Sequence, residues 1–330
     1  MKKITIIIPA KNVSNYVNKA IESIERASTP SVLYEVIIVD DHSSEEEFRK
    51  LQDISSASRY IHLVRLQQND PSGAGHARNV GLSKATGDYI YFMDADDEVL
   101  PTFFEVLNNV LNKVNVDMVF FGFSEYDMTF SKFSNSRFNS DEGEVVLEND
   151  ARVTWFEKWF LENNVFSVWT KVYNKKFLVE NNLLFPNTRT AQDAIFNVDV
   201  FAKANKIYSV PESLYKYNAN RPGSNQTVLK SKFDDEKAML DHLAHSLYSG
   251  DKTTPILQYL SVQTLVRELK YFKHSQNHSN AAKESVKSFA KTISPFMMKN
   301  AFVTTTMDKV KMTLIVIVIR LGLPGERLVS

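Results

Sequence analysis

Short apolar runs alternate with amphipathic segments along the first 123 residues of the chain. The runs are rich in β-branched or aromatic residues, which is typical of buried strands. Between them, apolar residues recur at three- and four-residue spacing, which predicts helices. The predicted strands are residues 4–9, 34–39, 61–66, 89–93 and 117–123, and the predicted helices are residues 15–26, 45–54, 76–84 and 102–114. This alternation predicts βαβ units and a mostly parallel sheet.

Polar clusters follow the predicted strands at residues 9–12, 40–41, 72–78 and 94–97. In a parallel sheet the ligand binds beyond the carboxyl ends of the strands. We therefore expect these four clusters to converge at one edge of the sheet.

The pattern changes in the second part of the chain. Residues 124–168 are less regular and include a polar stretch at 131–144. Beyond residue 225 the apolar spacing predicts three helices, at residues 232–248, 255–272 and 281–298. We therefore predict a domain boundary between residues 224 and 225.

Composition narrows the classes of function. Lys plus Arg and Asp plus Glu each number 39, so no net positive charge indicates a nucleic-acid partner. The absence of cysteine excludes disulfides, thiolate metal sites and a cysteine nucleophile. The apolar run that ends at Pro9 is too short for a signal peptide. The longest apolar run, residues 314–319, is shorter than the ~20 residues of a spanning helix. We therefore expect a cytoplasmic protein, soluble or peripheral to a membrane.

Three carboxylates crowd the end of the fourth predicted strand, at Asp94, Asp96 and Asp97. Such charges repel each other unless a positive group lies among them. An Asp-x-Asp pair suits Mg²⁺ or Mn²⁺, which one or two carboxylates often share with the phosphates of a substrate. The other interpretation is a solvated acidic turn before the helix that begins near Pro101.

Taken in order, six short stretches resemble a family 2 glycosyltransferase with the GT-A fold. They are IIIPAKN (6–12), IIVDDHS (37–43), GHARNVG (75–81), YFMDADD (91–97), WTKVY (169–173) and QDAIF (192–196). The resemblance covers residues 3–220. It implies an α/β fold with a mostly parallel central sheet flanked by helices, and a catalytic domain at 1–224. Within that domain it implies a nucleotide-binding half at 1–123 and an acceptor half at 124–224, followed by a helical region at 225–330.

The resemblance also implies roles for individual residues in binding a UDP-sugar. Asp41 matches the residue that hydrogen-bonds the uracil, and Pro9 and Asn12 lie where the chain lines the nucleotide. Arg78 matches a helix-borne arginine near the nucleotide. Asp94 would lie near the ribose and the metal, and Asp96 would be the main ligand of Mn²⁺ or Mg²⁺.

Asp193 matches the general base of the family. It would take the proton of an acceptor hydroxyl that attacks the anomeric carbon opposite UDP, so an α-linked donor would give a β-glycoside. The family commonly has Glu-Asp here, whereas this chain has Gln192-Asp193. The structural alternative is that Asp193 only caps the following helix.

The resemblance further implies a hexose donor, UDP-glucose or UDP-galactose. The implied acceptor is a lipid-linked or oligosaccharide glycan such as GlcNAc-diphosphate-undecaprenol, in O-antigen or capsule synthesis. Such an enzyme works at the cytoplasmic face of the inner membrane. The apolar segment flanked by basic residues at 309–320 fits peripheral membrane contact, although a buried strand or packed helix fits it nearly as well.

Two other functions fit an α/β chain of this kind. A catalytically silent nucleotide-sugar-binding or scaffold protein would be expected to lose the metal or base aspartate, and both Asp96 and Asp193 are present. A nucleotidyltransferase would be expected to have a glycine-rich phosphate loop after its first strand. Residues 9–12, PAKN, contain no glycine.

Overall fold

The structure is a computed structural model. It describes residues 2–30, 32–134, 143–148, 150–162, 166–188, 190–220, 232–251, 254–274, 285–286 and 288–289. The predicted membrane-contacting segment 309–320 and most of the predicted helix 281–298 lie outside the described residues. Among the described residues, no helix is both long and apolar enough to cross a membrane.

Strands and helices alternate through most of the described chain. The strands are β1 (Lys3–Ala10), β2 (Leu33–Asp40), β3 (Ile61–Arg65), β4 (Tyr89–Phe92), β5 (Glu98–Val99), β6 (Met118–Asp127), β7 (Lys132–Ser134), β8 (Gly143–Val146), β9 (Lys171–Asn174) and β10 (Lys206–Ala219). The helices are α1 (Ser14–Ala27), α2 (Glu45–Ser56), α3 (Ala74–Lys84), α4 (Phe103–Leu111), α5 (Asp150–Glu162), α6 (Lys175–Glu180), α7 (Gln192–Lys203), α8 (Phe233–Leu247) and α9 (Pro255–His274).

The strands form one mixed sheet in the order β3-β2-β1-β4-β9-β6-β10-β5, with β7 paired to β6 and β8 paired to β10. β1, β2, β3 and β4 are parallel to one another. β9 lies antiparallel between β4 and β6, so β6 runs in the same direction as β4. β10 pairs with β6 in parallel and therefore shares this direction. Six of the ten described strands thus point one way. The α/β fold with a mostly parallel central sheet is confirmed.

Both faces of the sheet are covered, which explains why its central strands are apolar throughout rather than alternating. Residues 4–8 of β1 and all of β4 are buried. α1 contributes an apolar face that includes Val17, Ile21 and Ile24, as its spacing predicted. α3 packs closely on β1, since a Cβ added at Gly81 would lie 2.4 Å from the Ile7 Cγ2. The glycine therefore fixes how near α3 comes to the strand.

The main elements missed from the sequence lie in the second part of the domain. β10 is 14 residues long, but its apolar alternation breaks where the register shifts between Val210 and Tyr215. Pro211 lies in the first shift, as expected because proline cannot donate to a strand ladder. Because the alternation is broken there, the sequence pattern did not predict this strand. The two-residue strand β5 is too short to give a pattern.

The chain divides into two compact units, Met1–Ser224 and Asn225–Ser330. All the described strands lie in the first unit. Within the second, the described residues form α8 and α9, where the Arg267 guanidinium binds the Glu236 carboxylate through two hydrogen bonds of 2.8 and 2.9 Å. The functions assigned to these two parts of the chain stay predictions.

Glu35 is a buried carboxylate at the edge of the sheet opposite the strand-end clusters. It accepts hydrogen bonds from the Lys3 ammonium, the Thr5 hydroxyl, and the N–H and hydroxyl of Thr86, all at 2.6–2.7 Å. Burial raises the pKa of Glu35, but these donors outweigh it and lower the pKa to about 2. Glu35 therefore ties β1 and β2 to the turn before β4.

We predict that Glu35→Gln lowers the free energy of unfolding by about 2 kcal/mol at pH 7 and by much less near pH 2. A lowered pKa stabilises the fold fully above the unfolded value near 4.5, and this stabilisation is lost as the pH falls toward 2. Urea unfolding followed by tryptophan fluorescence measures this unit alone, because Trp155, Trp159 and Trp169 are the only tryptophans.

The control for this prediction is Glu46→Gln. Glu46 pairs with Lys50 on the surface of α2 and its side chain is 81% exposed, so its removal should change stability little at any pH. Equal pH dependence in wild type and Glu35→Gln would contradict the role of Glu35.

Candidate active site

The clusters at the carboxyl ends of β1, β2 and β4 lie together, as expected for a parallel sheet. The Lys11 ammonium donates to the Ser72 hydroxyl at 2.8 Å, and that hydroxyl donates to the Asp41 carboxylate at 3.1 Å. Arg78, on α3, donates to the Asp94 carboxylate at 2.7 Å. These contacts connect all four polar clusters.

Asp41 has one carboxylate oxygen bound to protein and one that is not. Its Oδ2 accepts from the Ser72 hydroxyl and from the Gly73 N–H at 3.0 Å. Its Oδ1 is buried and accepts no hydrogen bond from any described residue, while the His42 Nε2 lies 3.9 Å away. A buried acceptor without a donor is costly. The structure therefore offers Oδ1 to an N–H group of a ligand.

Pro9 and Asn12, the other predicted nucleotide contacts, lie at the same edge. Pro9 is in β1 and pairs with Val39 of β2. Asn12 has a left-handed φ of 53°, which asparagine tolerates better than most residues. Its N–H donates to the Ser43 hydroxyl, and its Oδ1 accepts from the Ser44 N–H, each at 2.9 Å. The Asn12 side chain thus joins the loops after β1 and β2.

Arg78 forms a bridge between the two predicted halves of the domain. Its Nη2 donates to Asp94 Oδ1 and its Nη1 donates to Asp193 Oδ1, each at 2.7 Å. The guanidinium is buried and lies over the Phe185 ring, 5.3 Å from its centroid. Burial opposes the charge, but Asp193 and Asp94 raise the pKa of Arg78 above its ordinary value. One cation thus holds the predicted metal-site and base carboxylates together.

Asp94 is a partly buried carboxylate with two other negative side chains, Asp193 and Asp96, nearby. Burial raises its pKa to about 6; Arg78 opposes the rise, whereas Asp193 and Asp96 add to it. The side chain keeps 30% of its surface accessible. A divalent cation would relieve the repulsion between Asp94 and Asp96, so these residues fit the predicted Mn²⁺ or Mg²⁺. Among the described residues no three potential ligands form a metal cage, so phosphate oxygens would have to complete the coordination.

Asp97 has a structural role that the sequence did not reveal. Its Oδ2 accepts from the Tyr215 hydroxyl at 2.6 Å and its Oδ1 from the Asn218 N–H at 2.7 Å. The side-chain amide of Asn218 also donates to the backbone carbonyl of Asp96 at 2.7 Å. Burial, Asp94 and Asp96 raise the pKa of Asp97 well above its usual range, although both donors oppose this rise. β10 therefore fixes the loop that carries Asp94 and Asp96.

Asp193 lies in the first turn of α7, where the helix N-terminus stabilises a negative side chain. Ala191, just before the helix, has a left-handed φ of 59° and does not cap it through its side chain. The Asp193 side chain keeps 32% of its surface accessible while it pairs with Arg78. Asp193 is not the cap residue of α7, and it faces Asp94, a predicted metal ligand, across the Arg78 guanidinium.

Trp169 is a buried part of the aromatic core beneath this site. Its ring stacks with Tyr215 at 4.7 Å between centroids and with Tyr217 at 5.2 Å, and it meets Phe123 edge-on at 4.8 Å. Its carbonyl accepts from the Tyr91 hydroxyl. These contacts favour a packing role over a platform for an acceptor sugar.

Comparison with known families assigns the class of protein. The model of the family described as Glycosyl transferase family 2 matches residues 5–177. The match covers more than half of the chain, so the chain belongs to glycosyl transferase family 2. The predicted family is confirmed.

Two curated relatives match most of this chain and a smaller share of their own length. The uncharacterized glycosyltransferase EpsJ of Bacillus subtilis (strain 168) is 25% identical over 233 residues, which cover 70% of this chain and 65% of EpsJ. The poly(ribitol-phosphate) beta-N-acetylglucosaminyltransferase TarS of Staphylococcus aureus (strain Mu50) is 24% identical over 253 residues, covering 76% of this chain and 41% of TarS. The chain thus matches less than two thirds of either relative.

Solved structures share the fold. S. aureus TarS 1–349 in complex with UDP-GlcNAc has a TM-score of 0.68 at 17% identity, covering 97% of this chain and 92% of that one. The mannosyltransferase PcManGT of Pyrobaculum calidifontis, in complex with GDP-Man and Mn²⁺, has a TM-score of 0.56 at 15% identity, covering 97% and 86%. At these identities the likeness shows the fold alone.

We predict that Asp97→Ala lowers the free energy of unfolding by about 2 kcal/mol, because it leaves the Tyr215 hydroxyl and Asn218 N–H without their acceptor. Asp97→Asn should stay within about 0.5 kcal/mol of wild type, since its amide can accept from Asn218 and donate to the Tyr215 oxygen. Urea unfolding followed by tryptophan fluorescence measures both variants. Equal stability of the two variants would contradict the role of these two hydrogen bonds in holding β10.

Proposed function

We propose that this chain is an inverting glycosyltransferase that moves a hexose from a UDP-sugar to a hydroxyl group of a glycan acceptor. The observation that carries the proposal is the Arg78 bridge, which sets Asp193 and Asp94 on two nitrogens of one guanidinium. A carboxylate able to accept a proton thus lies next to carboxylates suited to a metal–diphosphate group. Membership of family 2 supports the reaction class.

The uracil end of the donor is assigned to the loop after β2. The buried, unbound Oδ1 of Asp41 matches the N3–H of uracil, which is a donor. The other Asp41 oxygen is held by Ser72 and Gly73, so the carboxylate is already oriented. The solved complexes of TarS with UDP-GlcNAc and with UDP support this class of nucleotide.

Asp94 and Asp96 would hold Mn²⁺ or Mg²⁺ together with the diphosphate of the donor. A bound divalent cation offsets the negative charge that grows on UDP as it leaves, so no protein acid has to protonate it. Burial is the main cause of the raised pKa of Asp94, and the negative charges of Asp193 and Asp96 add to it, so a divalent cation beside these carboxylates would offset part of the repulsion. The complex of PcManGT with Mn²⁺ supports metal binding in this fold.

The reaction is a single displacement at the anomeric carbon. The acceptor oxygen attacks from the side opposite UDP, and the bond from the anomeric carbon to the phosphate oxygen breaks with its electron pair leaving on UDP. The hydroxyl proton passes to the Asp193 carboxylate, which Arg78 orients through a 2.7 Å hydrogen bond. An α-linked donor therefore gives a β-linked product.

The sugar and the acceptor are finer proposals. We propose UDP-glucose or UDP-galactose as donor and a lipid-linked glycan, GlcNAc-diphosphate-undecaprenol first, as acceptor in O-antigen or capsule synthesis. Such an acceptor would place the protein at the cytoplasmic face of the inner membrane. The name of TarS adds UDP-N-acetylglucosamine and poly(ribitol-phosphate) to the substrates to test.

We expect Asp41→Asn to weaken UDP binding at least about tenfold, because an amide N–H would face the uracil N3–H. The same amide can donate to N3 of cytosine, so the affinity for CDP should rise relative to UDP. Titration calorimetry with both nucleotides and Mn²⁺ measures the ratio. Asp40→Asn, which changes the neighbouring carboxylate, is the control and should leave that ratio unchanged.

The reaction itself is tested by UDP release from UDP-glucose, UDP-galactose and UDP-N-acetylglucosamine with each acceptor class. We expect Asp193→Asn to bind UDP within about threefold of wild type and to lose about 10²- to 10⁴-fold in the transfer rate, as for removal of a general base. Transfer by this variant near the wild-type rate would assign the base elsewhere.

Two further variants make this test specific. Asp199→Asn alters another aspartate of α7 and should transfer at the wild-type rate, which controls for changes to the helix. Asp96→Asn should lose the dependence of UDP binding on Mn²⁺. If wild type transfers no sugar to any acceptor, the catalytically silent nucleotide-sugar-binding protein becomes the better description.

A further inference from the structure

Gln192 joins the N-terminal ends of two helices. Its Oε1 accepts from the Gly75 N–H at 2.7 Å, and its Nε2 donates to the Thr188 carbonyl. Gly75 is the second residue of α3, and the residue that precedes this helix, Gly73, has no side chain to cap it. The first N–H groups of a helix lack partners within the helix. The first residue of α7 thus caps α3 from 117 positions away.

A second contact runs beside this one. Gly75 and Arg78 are three residues apart and therefore lie on one face of α3. Gln192 and Asp193 are adjacent at the start of α7. The neutral contact from Gln192 to Gly75 and the ionic contact from Asp193 to Arg78 therefore connect the same two helix ends. Loss of the contact between Gln192 and Gly75 should therefore let the start of α7 shift, and Asp193 would shift with it.

The packing around Gly75 is independent evidence that the contact is built into the fold. A Cβ at this position would lie 2.7 Å from the Gln192 Oε1 and 3.1 Å from the Phe185 Cβ. Only glycine leaves room for the amide to approach the N–H. The Gln192 amide is the end of a flexible side chain, so a methyl group here would displace it first, and the Phe185 Cβ would have to move by a few tenths of an ångström.

We propose that Gln192 is a positioning residue: by capping α3 with its amide oxygen, it holds the start of α7, and therefore the Asp193 carboxylate, in place. The inference rests on the proposed function of Asp193 as the base. The feature required at position 192 is the acceptor oxygen: glutamate supplies it too, whereas an apolar side chain of equal length does not. Gln192 itself acts through Asp193 and touches no reacting atom.

The test compares Gln192→Met with wild type. Methionine keeps the length and the helix propensity of the side chain and removes the acceptor. We expect kcat to fall about 10- to 100-fold with the KM for the donor within about threefold, because a displaced base slows chemistry more than binding. A wild-type kcat would overturn the inference, and so would a rise in KM that matches the loss in kcat.

A second readout does not depend on activity. The chain has only ten glycines, so labelling glycine with ¹⁵N gives a simple spectrum in which the exchange of the Gly75 amide hydrogen can be followed. We expect this exchange to be at least about tenfold faster in Gln192→Met. An unchanged exchange rate would show that Gln192 does not cap α3.

Two more variants keep the inference testable if Gln192→Met fails to fold. Gln192→Glu loses the donor to the Thr188 carbonyl, as Gln192→Met does, but keeps the oxygen that accepts from Gly75, so it should keep slow exchange at Gly75 and a kcat within about fivefold of wild type. Gly75→Ala should displace the amide and reproduce the loss in kcat while the helix gains a better helix former. A Gln192→Glu variant as slow as Gln192→Met, or a fully active Gly75→Ala, would overturn the inference.

The failure of the proposed function remains distinguishable from the failure of this inference. If wild type transfers no sugar, the proposed function fails and kcat cannot be used. The cap of α3 by Gln192 is then judged from amide exchange at Gly75 alone. If wild type transfers sugar and Gln192→Met exchanges fast but turns over normally, the cap exists and its role in positioning Asp193 is wrong.

Discussion

The site depends on one buried guanidinium, that of Arg78, held between the carboxylates of Asp94 and Asp193. Removing one partner of a buried ion pair typically costs about 3–5 kcal/mol, since the remaining charge is left without compensation. Arginine suits this position because its planar group presents two nitrogens to two acceptors at once. Gly81 supports this arrangement, because α3 can lie close to β1 only where the helix lacks a side chain.

The same bridge explains how a crowd of carboxylates persists at the end of β4. Arg78 compensates part of the charge of Asp94, and β10 holds Asp97 with a hydroxyl and a backbone N–H. The pKa values of Asp94 and Asp97 are raised, chiefly by burial and in addition by the neighbouring carboxylates. The proposed binding of a divalent cation together with the substrate would relieve the repulsion between these carboxylates.

Much of the first half of the domain could be predicted from the sequence. Helices 15–26 and 45–54 are confirmed within two residues at each end, and Ser44 caps α2 by accepting from the Glu47 N–H. Their periodicity is regular because each packs one face on the sheet. β10 was missed because Pro211 and the register shifts break the alternation on which strand prediction depends.

The sequence by itself determined the α/β class, the family and the positions of the polar clusters, because these follow from local periodicity and from short motifs in order. Only the tertiary structure decided which groups meet. Arg78 reaches Asp193 across 115 positions, Asp97 reaches Asn218 across 121, and Gln192 caps α3 across 117. The Asn12 side chain, predicted to lie near the nucleotide, joins the loops after β1 and β2. Contacts of this kind depend on how strands and helices pack, and no local pattern in the chain encodes them.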